Sequence, residues 1–247
     1  VKEIPPTITG LQDKELNKLI TLPLKENTDR WNARNLFLFA MYEGGIRIGD
    51  IIQLRWRNIV GDRLIYVMTK NGKQVNVILV QEAKKILMRY KRQGQRPEHY
   101  IFPYLDSNAE YAKYLDYEDR QKMPPDISKK LFETINAREA RIGMMLREIR
   151  ALTGIPHLTF HTARHTFALR AKEANVDNTT LKNIMQHSSL NTTETYVKKL
   201  DRRNEDAAMK VMYLDKAHHN KEKKRIIKQI QKLGFSPEEL IELLSGN

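Results

Sequence analysis

One segment of this chain breaks the helical repeat that dominates it. From Arg63 to Val80, RLIYVMT and KQVNVILV alternate apolar and polar residues with the two-residue period of half-buried strands. Asn71-Gly72 lies between them as the signature of a two-residue type I′ hairpin turn. Elsewhere the apolar residues recur at helical spacing. LQDKELNKLITL and TDRWNARNLFLFAMYEGG precede the hairpin, the second marked by Trp31, Leu36, Phe39, Ala40 and Tyr42 and stopped by two glycines; IRIGDIIQLRW is again helical in character. QEAKKILMRYKRQ and ISKKLFETINAREARIGMMLREIRAL follow the hairpin with the same period. The expected fold is α+β, mainly α-helical with one small antiparallel β-sheet. Residues 97–125, which contain the strand-like YIFPY and several tyrosines and acids, read as a loop or insertion. No internal repeat or low-complexity tract occurs.

Towards the C-terminus, Gly154 and Pro156 break the chain, Thr159 can cap a helix, and Phe160, Ala163, Phe167, Ala171 and Ala174 form its apolar stripe. His161 and Arg164 stand three apart on the neighbouring flank, near the helix N-terminus where the backbone favours an anion. His165, adjacent, could take the place of His161. A short helix follows with Leu181, Ile184 and Met185 inward and His187 at its end, and Tyr196 falls on the helix after that. A basic tail closes the chain, its last helix opened by Ser236, Pro237 and Glu239.

The 247 residues can bury a substantial core in one large domain or two small ones. Forty-three Lys+Arg against 30 Asp+Glu give a net charge of +13, which points to a polyanionic partner, most commonly nucleic acid. With no cysteine there are no disulfides or thiolate metal sites, and the seven histidines lack ligand spacing. No apolar run approaches the roughly 18 residues of a membrane span, and VKEIPPTITG lacks the features of a signal peptide. Residue 1 is valine, so the chain is expected to be excerpted from something longer, with a preceding domain missing.

Arg47, His161, Arg164, His187 and Tyr196 form a set suited to phosphate chemistry. Breaking a phosphodiester without metal needs fixed donors for the non-bridging oxygens, and arginine offers a planar fork. A phenol titrates near pH 10, yet nearby arginines favour the phenolate and a histidine can take its proton. Asp50, three residues beyond Arg47, could share a helical face and hold the guanidinium, although for one Arg and one Asp an ordinary surface ion pair is the commoner arrangement. Lys70, just before the turn, can reach a DNA groove and protonate a departing oxygen; Lys73 across the turn competes for that role, and solvated edge protection is the plainer reading of either. The basic residues of 127–152 are best read as a solvated face.

In order, these residues resemble the catalytic domain of the tyrosine recombinases, the phage-type integrases, whose motif runs Arg, Lys, His-x-x-Arg, His or Trp, Tyr. GIRIGDIIQLRW supplies Arg47, TKNGK Lys70, HTARHTFA His161 and Arg164, and MQHSSLNTTETY His187 and Tyr196. The likeness spans residues 10 to 200, is weakest from 97 to 150, and departs at Gln186, where the family often has glycine. It implies that Tyr196 attacks a scissile phosphate to give a 3′-phosphotyrosyl link while Arg47 and Arg164 hold the non-bridging oxygens. Lys70 would protonate the 5′-oxygen, His161 accept or share the tyrosine proton, and His187 hydrogen-bond the phosphate. No metal or nucleotide cofactor is implied. The implied partners are double-stranded DNA, further copies of the chain in a tetramer on DNA, and accessory DNA-bending proteins, in a prokaryotic cytoplasm. Residues 1–200 would be the catalytic domain and 201–247 a tail docking on a neighbouring protomer or on its own domain, with an N-terminal DNA-clamping domain absent. A type IB topoisomerase and a non-catalytic DNA-binding protein are the rival readings.

Overall fold

The second helix is the hub of the molecule. The computed structural model describes residues 10–185, in which α1 (Asp13–Thr21) leads to α2 (Asp29–Tyr42). Thr28 caps α2 by accepting from the Trp31 N–H at 3.4 Å. Trp31, Leu36, Phe39 and Ala40 are buried as their spacing predicts, Tyr42 is half-buried, and Asn32, Arg34 and Asn35 are buried as well. Those polar groups are all partnered: the Tyr90 hydroxyl donates to Asn32 Oδ1 (3.0 Å) and accepts from Asn35 Nδ2 (3.3 Å), while Arg34 Nη1 donates to the Leu22 carbonyl (2.9 Å). With its amides satisfied, α2 can be enclosed on every side, by α4 (Gln81–Tyr90), α6 (Pro125–Thr153) and α7 (Phe160–Glu173).

The short α3 (Ile48–Ile52) and a 3₁₀ turn (Trp56–Asn58) lead into the sheet of β1 (Ile59–Val60), β2 (Arg63–Val67) and β3 (Gln74–Ile78), antiparallel in that order. Leu64 lies opposite Val77 and Tyr66 opposite Val75, with Leu64, Tyr66 and Val75 turned to the core. The mainly helical α+β expectation is thus what the chain adopts. The hairpin end differs from a two-residue type I′ turn. Met68 N–H donates to the Lys73 carbonyl (2.9 Å) and Gly72 N–H to the Met68 carbonyl (3.0 Å), which leaves a four-residue loop, 69–72. Only Gly72 in it has a left-handed φ (64°), whereas type I′ would require one at Asn71 too. The cause lies outside the hairpin, because the Thr69 N–H is taken by Asp50 Oδ1 at 2.9 Å.

The helix expected across IRIGDIIQLRW is only five residues long. The Gln53 side chain folds back onto the Gly49 carbonyl (2.7 Å), and Asn58 Oδ1 accepts from the Arg55 N–H (2.8 Å) to start the 3₁₀ turn. Residues 97–125 are core rather than insertion. Ile101, Phe102, Leu105 and Tyr111 are buried, and α5 (Tyr117–Gln121) forms part of the segment. Its YIFPY contributes only an isolated bridge between Tyr100 and Arg55. Arg55, 4% exposed, straps the segment down: its guanidinium lies 4.1 Å over the Tyr100 ring and donates to the Tyr100 hydroxyl (2.9 Å) and the Ala112 carbonyl (3.0 Å). Helix α6 has Pro125 in its first turn and ends at Gly154 (φ 69°). It buries Ile127, Leu131, Ile142, Leu146 and Ile149 on one stripe, while Lys129, Lys130, Arg147 and Arg150 are exposed.

Helix α7 buries a face rotated from the expected stripe. Thr162, Ala163, Thr166, Leu169 and Ala171 are inside, Phe160 and Phe167 are half-buried, and Ala174 is exposed. The rotation is possible because Thr166 Oγ1 donates to the Thr162 carbonyl (2.7 Å) and accepts from the Leu11 N–H (2.9 Å), so a buried threonine carries no unmet polar atom. The final described helix, α8 (Asn178–Met185), packs Leu181 and Met185 against Ala168 and Leu169. His187, Tyr196, Gln186, the boundary at residue 200 and the tail lie outside the described residues. Among the described residues no helix is long and apolar enough to cross a membrane.

Candidate active site

The corner after α2 sets the site. Gly44 (φ 74°) and Gly45 (φ 70°) turn the chain back, with the Gly45 N–H donating to the Ala40 carbonyl at 2.8 Å. This corner delivers Arg47 to the start of α3, half-buried, with Nη1 2.9 Å from Met68 Sδ. Gly45 is needed for space as well as conformation, since a Cβ there would lie 2.9 Å from both Cα and Cγ of Arg164. The Arg164 stem crosses that gap, and its fork joins two further elements: Nη1 donates to the Gly45 carbonyl (2.8 Å) and Nη2 to the Met185 carbonyl at the end of α8 (2.7 Å). His161, one turn earlier on α7, is exposed.

Arg47, Lys70, His161 and Arg164 come from three segments far apart in sequence, and all four line one cleft of about 550 Å³. Neither Lys73 nor His165 lines it. His165 is half-buried, with its ring 6.1 Å from that of His161. Burial first, then the neighbouring His161 and Arg164, push its pKa down to about 4, so it is neutral at physiological pH. Asp50 also borders the cleft but does not hold Arg47. No ion pair joins the two; the Asp50 carboxylate is buried and grips the hairpin loop through the Thr69 N–H. Because α3 begins only at Ile48, Arg47 precedes the helix and the two side chains do not stack on one helical face.

One wall of the cleft was not singled out by sequence. Phe132, Ile135, Asn136 and Glu139 follow one another along a flank of α6 at helical spacing, and Phe132 is 64% exposed. That spacing is legible in the sequence, but which flank of a 29-residue helix faces the cleft is not. Burial, with Asp50 adding to it, raises the Glu139 carboxyl above its ordinary pKa. Tyr66 on β2 senses Asp50, Arg164 and Arg47, yet burial dominates and holds its phenol well above the normal range. Tyr66 therefore stays a neutral core hydroxyl despite its cationic neighbours. Among the described residues no group of His, Asp or Glu is arranged to hold a metal ion.

A mainly helical domain thus brings guanidinium, ammonium and imidazole groups from distant segments to one opening, an arrangement suited to an anion. The chain belongs to the phage integrase family, whose model matches residues 10–203. It is similar to tyrosine recombinase XerA of Thermococcus kodakarensis, 24% identical over 197 residues, which make up 80% of this chain and 59% of that protein. Transposase A from transposon Tn554 of Staphylococcus aureus is 27% identical over 224 residues, 85% of this chain and 56% of that one. The chain thus spans under two-thirds of the length of these curated relatives. The crystal structure of XerA recombinase matches with a TM-score of 0.53 at 21% identity, covering 86% of this chain and 66% of the other. XerH site-specific recombinase, in a post-cleavage complex with palindromic difH substrate, matches with a TM-score of 0.51 at 16% identity, covering 82% and 53%.

Proposed function

We propose that this chain cleaves and rejoins double-stranded DNA as a site-specific recombinase, through a 3′-phosphotyrosyl intermediate at Tyr196. The observation that carries the reading is the meeting of Arg47, Lys70, His161 and Arg164 at one cleft in a member of the phage integrase family. Relatives named as recombinases and a transposase, one neighbour being captured on its DNA substrate, support it over topoisomerase-like relaxation or passive binding.

In the cleavage step the Tyr196 oxygen bonds to phosphorus, the P–O5′ bond breaks, and a proton from Lys70 Nζ goes to O5′. Arg47 and Arg164 stabilise the charge on the non-bridging oxygens, and His161 takes or shares the phenol proton. His187 donates a hydrogen bond to the phosphate. The phosphotyrosyl link keeps the bond energy, so a 5′-hydroxyl from another strand can reverse the attack and exchange strands. On DNA the chain works as a tetramer, residues 201–247 docking on the neighbouring protomer, with accessory DNA-bending proteins, in a prokaryotic cytoplasm.

A nicked suicide substrate tests the reading. The chain becomes covalently attached to DNA in EDTA, Tyr196→Phe does not, and Arg47→Ala slows attachment by about 100-fold or more. Attachment retained by Tyr196→Phe would remove the nucleophile from the proposal.

A further inference from the structure

Lys70 sits on a loop that the sheet itself scarcely holds. Within 69–72 the only ladder-like closure is Gly72 N–H to the Met68 carbonyl, and all four residues are exposed. A long, flexible amine on such a loop would sample many positions. Asn71 Oδ1 accepts from the Lys73 N–H (3.2 Å) within the hairpin, and the other restraints come from outside it. Asp50 takes the Thr69 N–H (2.9 Å), and Gln53 Nε2 donates to Thr69 Oγ1 (3.3 Å). The Tyr117 side chain lies directly against Gly72, where a Cβ would meet its hydroxyl at 3.3 Å and its ring at 3.4 Å.

Gln53 is fixed in turn. Its Nε2 also donates to the Gly49 carbonyl (2.7 Å), and its Oε1 accepts from Arg120 Nη1 (2.7 Å). With a cation on the oxygen, the amide can present only its NH₂ to Thr69. Tyr117 and Arg120 belong to the same short helix, α5, itself capped by Asp116, which accepts from the Asp119 N–H at 2.9 Å. Asp50, Gln53 and Thr69 form a partition: they line the cleft that holds Lys70 and also a second cavity, of about 320 Å³, bordered by Tyr117 and Arg120.

We infer that α5 is a strut for the proton donor, with Tyr117 and Arg120 acting as positioning residues that set Lys70 Nζ against the leaving oxygen. This rests on the reading of Lys70 as the group that protonates O5′. Such a role makes a specific chemical prediction. A 5′-bridging phosphorothiolate leaves as a stable thiolate and needs no proton, so a defect confined to the donor disappears when sulfur replaces that oxygen.

The test compares cleavage of oxygen-bridged and sulfur-bridged suicide substrates by the full chain. Tyr117→Ala and Arg120→Ala should each cleave the oxygen substrate at least about tenfold more slowly, as expected for a displaced catalytic group, yet match wild type on the sulfur substrate to within about twofold. Wild-type rates on sulfur also establish that the variants are folded and bind DNA. Equal losses on both substrates, or no loss on oxygen, overturn the strut. Lys70→Ala is the control: the same sulfur rescue supports its role, whereas failure of rescue in Lys70→Ala overturns the donor reading itself.

Discussion

Glu43 is a buried carboxylic acid with half of its hydrogen-bonding capacity unused. It caps the end of α2 and is 3% exposed; Oε1 accepts from the Val80 N–H at 3.2 Å, while Oε2 has no partner. Burial raises its pKa from 4.5 to about 7, against the opposing pull of that hydrogen bond and of Lys84. Between those two values the folded state holds a proton that the unfolded chain has released, so stability falls as pH rises and the loss is complete above the folded pKa. Glu43→Gln removes that slope and should be more stable than wild type at about pH 8 by on the order of 2 kcal/mol, with little difference at about pH 4. Urea melts at the two pH values check this. Among single residues, Arg47, Lys70, His161 and Arg164 were legible as one set through the resemblance to a family motif, and the cleft that all four line is what the fold adds. Asp50 was legible as a supporting acid but not its partner, since Thr69 lies nineteen residues away and the contact depends on the tertiary fold.

At the scale of elements, periodicity located α1, α4 and α6 because each has one wet and one dry face. It described only part of α2, whose buried amides look like a solvated face until Tyr90 is in view. It failed for 97–125, where order comes from aperiodic core residues such as Ile101, Phe102 and Tyr111 and from a remote arginine rather than from any repeat. Arg55→Met would leave the Ala112 carbonyl and the Tyr100 hydroxyl without their donor. The expected cost is about 2–4 kcal/mol, and faster amide hydrogen exchange should be concentrated in residues 98–114. Exchange that rises uniformly over the chain would show that Arg55 is not a local strap. The hairpin was found at the right place with the wrong turn, because Asn-Gly chemistry was outweighed by the pull of Asp50 on Thr69.

At the scale of the whole molecule, the sequence indicated a basic, mainly helical protein with its chemistry spread along the chain, and the fold draws Arg47, Lys70, His161 and Arg164 to one opening. How that opening is walled, by α6 on one side and the α5-held loop on another, depended on packing that no local pattern records. The proposed trans-docking of the tail is also a whole-molecule property. Deleting residues 235–247 should leave formation of the covalent complex on a single site intact and reduce synapsis of two sites, read by native gel mobility; unchanged synapsis excludes trans docking by that segment.

The near-contact between Gly45 and the Arg164 stem makes two positions 119 residues apart a single unit of inheritance. A chimera that imports the carboxy-terminal half of a relative must keep glycine at 45 wherever the imported helix approaches as α7 does, since even a methyl group there would collide with it.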